Sequence, residues 1–392
     1  MRLQLSFALA LTLILAACGP AAAPTAAPPP QPTSAPAAPA PTQPPEPTVP
    51  PAAVGPPSSG GAAVAPTQSA TATLASVTSG ASGKTGWTQI AAANLPPARF
   101  DHTITLDTAN NKLVVFGGRD GSKTLGDTWI YDLKSNAWHE VKASPAPEAR
   151  LGHAAAFDAK SKRVLIFAGQ ASGFFNDVWA FDAAKETWQK LETKGTPPAA
   201  RYGTSAVVDA KRNMLIITHG FASGRFDDTF ALDLATNTWS QISPIDGMPL
   251  KRCLHESVYD AKLDRMILFG GCSSGFGPCP QGDLWSLNVA GKDWNEVSPT
   301  KTKPSPRSNP ALVGDNAGRL ILFGGKTSDG PSADLWSLDI ASGEWKDLTS
   351  SATGPAVRSS HDAAWNPATK QMIVFGGRGS AGALNDMWVF TP

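Results

Sequence analysis

Residues 99–141 read RFDHTITLDTANNKLVVFGGRDGSKTLGDTWIYDLKSNAWHEV. Arg99 is followed three residues later by His102, and an apolar run, Leu113-Val114-Val115-Phe116, stops at Gly117-Gly118. Asp127 precedes Trp129 by two positions, and Trp138 closes the stretch. Short β-branched and aromatic runs bounded by turn residues are strand signals. Four strand-length pieces result: after the arginine, before the glycines, around Asp-x-Trp and around the second tryptophan. The same order recurs down the chain. Arginines stand at Arg99, Arg150, Arg201, Arg252, Arg307 and Arg358, at spacings of 51, 51, 51, 55 and 51. Glycines follow at Gly118, Gly169, Gly220, Gly271, Gly325 and Gly377, and acids at Asp127, Asp177, Asp228, Asp283, Asp334 and Asp386. Two residues after each acid comes an aromatic: Trp129, Trp179, Phe230, Trp285, Trp336 and Trp388. A second tryptophan closes the units at Trp138, Trp188, Trp239, Trp294 and Trp345, and only Trp365 falls outside the pattern. Self-similarity at a fixed period marks a repeat architecture.

Four short strands per fifty residues describe a propeller blade. The order Arg-x-x-His, apolar run, Gly-Gly, Asp-x-Trp, then Trp-x-x-Leu or Val resembles the kelch repeat, in six imperfect copies over residues 85–392. The resemblance implies an all-β fold, a six-bladed kelch propeller with four antiparallel strands per blade. The sixth copy stops at Pro392 without its closing tryptophan strand, and Trp87-Thr88-Gln89-Ile90 supplies such a strand ahead of Arg99. The expectation is a ring sealed by the N-terminal strand, which removes an exposed edge.

Alternating strand direction places the repeat arginine, glycine and aspartate on one face of the ring. The resemblance implies that the first strand of each blade lines the central channel and that this face carries the ligand. Two readings of Arg99, Arg150, Arg201, Arg252, Arg307 and Arg358 follow: a cationic channel mouth for acidic side chains, phosphate or carboxylated sugars, or pairing of each with the aspartate of its own repeat. His102, His153, His255 and His361 occupy equivalent places in different blades, too far apart to share an ion, so they read as packing between blades. No metal site and no cofactor are expected.

Blade three departs most from the pattern, with Thr204, Thr218, His219 and Phe230 at consensus positions. Its loop carries Phe221, Arg225 and Phe226, and the neighbouring blades contribute Phe174, Phe175 and Phe276. These residues form either a recognition patch over blades two to four or a set of aromatics folded back over the core. Blade four carries the longest insertion, with Cys272 and Cys279; a disulfide between them leaves Cys253 as a buried thiol, and a Cys253–Cys272 pairing is the alternative.

Residues 1–17 have a basic start and an apolar core ending in Leu15-Ala16-Ala17-Cys18, a secretory signal that resembles the lipobox of bacterial lipoproteins. The resemblance implies lipidation at Cys18. Residues 18–84 are rich in Pro, Ala, Ser and Thr, with Glu46 the only charge between Pro20 and Pro66, and read as a disordered tether. Proline-rich chain at roughly 3 Å per residue would span on the order of 100 Å. A balance of 33 Lys plus Arg against 32 Asp plus Glu excludes a strongly basic nucleic-acid binder. The expectation is a monomeric binding or scaffold module for an envelope protein or glycan, outside the cytoplasm and held to the cell or outer membrane by its lipid only. The alternative is a carbohydrate-active enzyme, such as a sialic-acid-type epimerase or a galactose oxidase-like oxidoreductase. Its sign would be a compact cluster of titratable groups inside the channel mouth. No residue set in the sequence marks a catalytic centre.

Overall fold

The computed structural model describes residues 85–243, 248–298, 302–349 and 354–392; the segments expected to be a signal peptide and a tether, and Cys18, lie outside the described residues. Six four-stranded sheets are present. In blade one the strands are Thr103–Asp107, Lys112–Phe116, Thr128–Asp132 and Ala137–Val141, each antiparallel to the next. Asp107 ends the first strand and turns the chain: its Oδ1 accepts from the backbone N–H groups of Ala109 and Asn110 at 2.9 and 3.1 Å. Such local acceptance is why aspartate is favoured at tight turns.

In blade one the second strand is apolar after Lys112 rather than alternating, since it is covered on both faces. Val114 and Phe116 pack with Val164, Ile166 and Phe181 of blade two, whereas Leu113 and Val115 pack with Ile373, Phe375 and Met387 of blade six. The other four interfaces between successive blades hold equivalent apolar clusters, so the core is a closed ring of six layers. Closure uses the N-terminal strand. Gly86–Ile90 pairs antiparallel with Gly382–Thr391, in a register running from Gly86↔Thr391 to Ile90↔Met387. Trp87 lies 4.7 Å from Phe323 of blade five and 5.2 Å from Phe390.

The repeat glycines satisfy a backbone demand. Gly118 has φ +90°, and a Cβ there would sit 2.7 Å from the Phe100 carbonyl and from His102 Cβ. Only glycine combines that φ with that approach.

Candidate functional site

The six repeat arginines are fully buried. In each blade the guanidinium takes the aspartate two strands later in a two-pronged bond, as in Arg307 Nη1 and Nη2 to Asp334 at 2.6 and 2.7 Å. Nε donates to the carbonyl two residues upstream, and Nη1 to the carbonyl of the first turn residue, here Ser305 and Gly324. The same set recurs for Arg99–Asp127, Arg150–Asp177, Arg201–Asp228, Arg252–Asp283 and Arg358–Asp386. The aspartate also accepts the indole N–H of the tryptophan that follows in five blades. Burial pushes Asp334 up, but the bonds from Arg307 outweigh it and its pKa is lowered on balance. The arginines therefore do not form a cationic channel mouth: each charge is cancelled within its blade, and its fork ties the first strand to the next two.

The mouth is instead a ring of backbone. Asp101, Gly152, Gly203, Leu254, Asn309 and Ser360 stand at equivalent places in the six blades, and all have φ between 48° and 61°. The N–H of each donates to the carbonyl of its neighbour: Gly152 to Asp101, Gly203 to Gly152, Leu254 to Gly203, Asn309 to Leu254, Ser360 to Asn309 and Asp101 to Ser360, at 2.8–3.1 Å. The circle of hydrogen bonds is closed, and it holds the blades in register at the entrance.

Below the ring lies a channel cavity of about 300 Å³ walled by the first strands. The wall position four residues after the repeat arginine is Thr103, Ala154, Ser205, Glu256, Ala311 and Asp362. Thr103 and Ser205 are hydrogen-bonded to His153 and His255 of the following blades at 2.8 and 2.9 Å. Blade five has Pro310 where that histidine would stand, and no hydrogen bond to the Glu256 side chain occurs among the described residues. Asp362 accepts from the N–H groups of Ile104 and Ala363, both at 2.7 Å. Burial pushes Asp362 up to about 7. Burial, then the charge of Asp362, raises Glu256 well above the usual carboxylate range.

These two acids have a measurable consequence. Both are raised, so from roughly pH 4 upward the native state holds more protons than the unfolded chain. The contribution of these two acids to stability is greatest below that window and falls as pH rises through it. Glu256→Gln is expected to gain about 1–2 kcal/mol over the wild type at pH 8 and nothing at pH 4. Thermal melts at both values check this; equal stability at pH 8 refutes the coupling.

The histidines sit between blades. His102, His153, His255 and His361 are buried, each packed against a neighbouring strand, with His102 edge-on to Phe375 at 5.5 Å. Burial and the nearby repeat arginine hold His153 and His361 at about 3. Among the described residues no group of three or more His, Cys, Asp or Glu is placed to hold a metal ion.

The aromatic loops fold back in large part. Phe175 and Phe226 lie over the guanidinium carbons of Arg150 and Arg201, both at 4.0 Å, and so cover the buried ion pairs. Phe174 stacks on Tyr202 at 6.0 Å, and Phe221 meets the same ring edge-on at 5.6 Å. His219 is fully buried, with Thr218 and the Pro249 carbonyl as its partners. Arg225 donates to the carbonyls of Cys272 and Ser274 at 2.9 and 2.7 Å, joining blade three to the blade-four insertion. Of the candidate patch only Phe276 is mostly exposed, at 53 %. Cys272 is bridged to Cys279, and Cys253 is a buried thiol.

Two features escaped the sequence reading. The channel acids were visible as departures from small residues at the fourth position after the arginine. The other feature lies just past the repeat glycine, where Arg119, Lys326 and Arg378 replace Gln170, Phe221 and Cys272 of the other blades.

Comparison with known proteins agrees with this architecture. The family described as the KLHDC2/KLHL20/DRC7 kelch-repeats domain matches residues 61–271 and 260–392. Acyl-CoA-binding domain-containing protein 4 of Arabidopsis thaliana is 26% identical over 268 residues, covering 65% of this chain and 39% of its own. Adagio protein 3 of the same plant is 28% identical over 297 residues, covering 71% and 47%. Multiple epidermal growth factor-like domains protein 8 of Homo sapiens is 26% identical over 330 residues, covering 75% and 11%. The chain thus spans less than half the length of each of these relatives. With six kelch units closed into one ring, the chain belongs to the kelch-repeat family.

Proposed function

We propose that the protein is a binding module: a kelch propeller, carried outside the cytoplasm on a lipid at Cys18 and a proline-rich tether, that engages a protein partner through the loops of its mouth face. One observation carries this reading. The repeat arginines and aspartates of the mouth face are saturated by one another, and the side chains that differ between blades include Arg119, Lys326 and Arg378, which enter no ion pair among the described residues, and the exposed Phe276. A surface whose constant part is structural and whose variable part is unspent fits recognition better than chemistry.

The test is a photo-crosslinking amino acid at Phe276, compared with one at Lys185 on the hairpin turns of the opposite face. A discrete protein adduct at the first position only is expected. Adducts at both positions, or at neither, overturn the reading. The anchor is tested in the same cells, where Cys18→Ala is expected to move the chain from the membrane to the soluble fraction.

A second reading, a carbohydrate-active enzyme, is favoured by Glu256 and Asp362, since raised carboxyls in a cavity are a common acid–base arrangement. Under that reading Glu256→Gln removes turnover of a sugar substrate; under the first it leaves the Phe276 adduct intact.

A further inference from the structure

The residue after the repeat glycine is Arg119 in blade one, Lys326 in blade five and Arg378 in blade six. Because blade six closes against blade one, the three cations are contiguous around the mouth. None of them enters an ion pair among the described residues, although most other charges near the repeat turns do. The guanidinium groups of Arg119 and Arg378 both lie 5.4 Å from the centre of the Phe100 ring. Arg119 Nε is buried with no hydrogen-bond partner. Two like charges gathered on one ring repel each other, and an anion between them offsets that repulsion. Asp101 offsets part of that repulsion, since burial raises its pKa while Ser360 and the charges of Arg119 and Arg378 lower it, but one carboxylate does not balance two arginines and Lys326.

Beside these groups opens a depression of about 420 Å³, with Phe100, Tyr202, Leu254 and Pro331 as its apolar wall and Lys326, Arg378 and the single acid Asp101 as its charged one, so cations outnumber acids there. An occupant therefore needs anionic groups next to an apolar one. A sugar would seek an open aromatic face, but Phe100 is engaged by two guanidinium groups and Tyr202 by Phe174 and Phe221. Aliphatic surface from Leu254 and Pro331 remains, and it suits a side chain.

We infer that this depression takes an acidic peptide segment of a partner protein, its carboxylates on Arg119, Arg378 and Lys326 and a neighbouring aliphatic side chain against Leu254 and Pro331. The inference rests on the binding-module reading above and names the chemistry of its partner.

The experiment uses the full chain and labelled dodecapeptides carrying two glutamates beside a leucine, each matched to a version with glutamines, read by fluorescence anisotropy. The acidic peptides are expected to bind at least tenfold more tightly than their glutamine partners, with affinity falling as salt is raised. Lys326→Gln with Arg378→Gln, both exposed positions, is expected to remove that preference, and Arg119→Gln to weaken it. Lys185→Gln on the opposite face should change nothing. Equal binding of acidic and glutamine peptides, an unaltered preference in the double variant, or no binding to a protein with a native melt would each overturn the inference. So would equal binding of an acidic polysaccharide, which would mark a general polyanion patch. A protein adduct at Phe276 without acidic preference would sink this inference and leave the binding module standing.

Discussion

A chain lacking Gly86–Ile90 is expected to lose the closed ring, with a melting transition lowered by well over 10 °C or no cooperative transition at all. That strand supplies the outer edge of blade six, where Gly86 to Ile90 pair with Thr391 to Met387. Ile90 is 5 % exposed and packs with Phe375 and Met387, while Trp87 reaches across to Phe323 of blade five. Burial of the two large side chains is worth about 2–3 kcal/mol each, and the lost ladder adds roughly 1 kcal/mol per hydrogen bond. The deletion also bares the Gly382–Thr391 strand, an unpaired edge that invites association with other chains. Thermal melts and sedimentation check both effects. A synthetic peptide of residues 85–93 should restore the transition in trans; a truncated chain that melts like the parent would show that closure contributes little.

Arg307→Met is expected to cost about 3–5 kcal/mol, because it strips a half-buried carboxylate of its partner and leaves the Ser305 and Gly324 carbonyls without their donor. Over roughly 300 ordered residues that corresponds to a fall of roughly 5–10 °C in melting temperature. Arg307→Lys should recover little, since a single ammonium does not reproduce a planar fork that bonds two carbonyls and both carboxylate oxygens. Adding Asp334→Asn to Arg307→Met should return part of the loss, because the isolated charge is then gone. The cost should also shrink at acid pH: the Asp334 pKa is lowered in the fold, so its contribution is present above the unfolded value and lost as pH falls through the folded one. Calorimetry at pH 7 and pH 3 measures each step, and additive losses in the double variant would sink the ion-pair account.

Much of this was legible because a repeat states the same physical requirement six times. Strand runs, Gly-Gly turns and the Asp-x-Trp step each recur in register, so a blade of four strands and the displaced closing strand at Trp87 could be read from spacing alone. The role of the arginines was legible only as two alternatives. Spacing puts Arg307 and Asp334 on one face, but whether the guanidinium points at the channel or back into its own blade depends on side-chain direction and on which carbonyls lie within reach. The aromatic loops show the same limit: Phe175 and Phe276 look alike in sequence, yet one covers Arg150 and the other is exposed.

The sequence by itself determined the six kelch units, their strand content and the closure, since these follow from short-range periodicity that every blade repeats. Only the tertiary structure decided what is spent and what is left over. It turned the six arginines inward, closed the backbone ring at the mouth, and brought Glu256 of blade four toward Asp362 of blade six. It also set Lys326, Arg378 and Arg119 side by side although more than two hundred residues separate the first and last of them in the chain. The physical reason is ring closure: it makes neighbours of blades one and six, and contacts across that seam have no counterpart in local sequence.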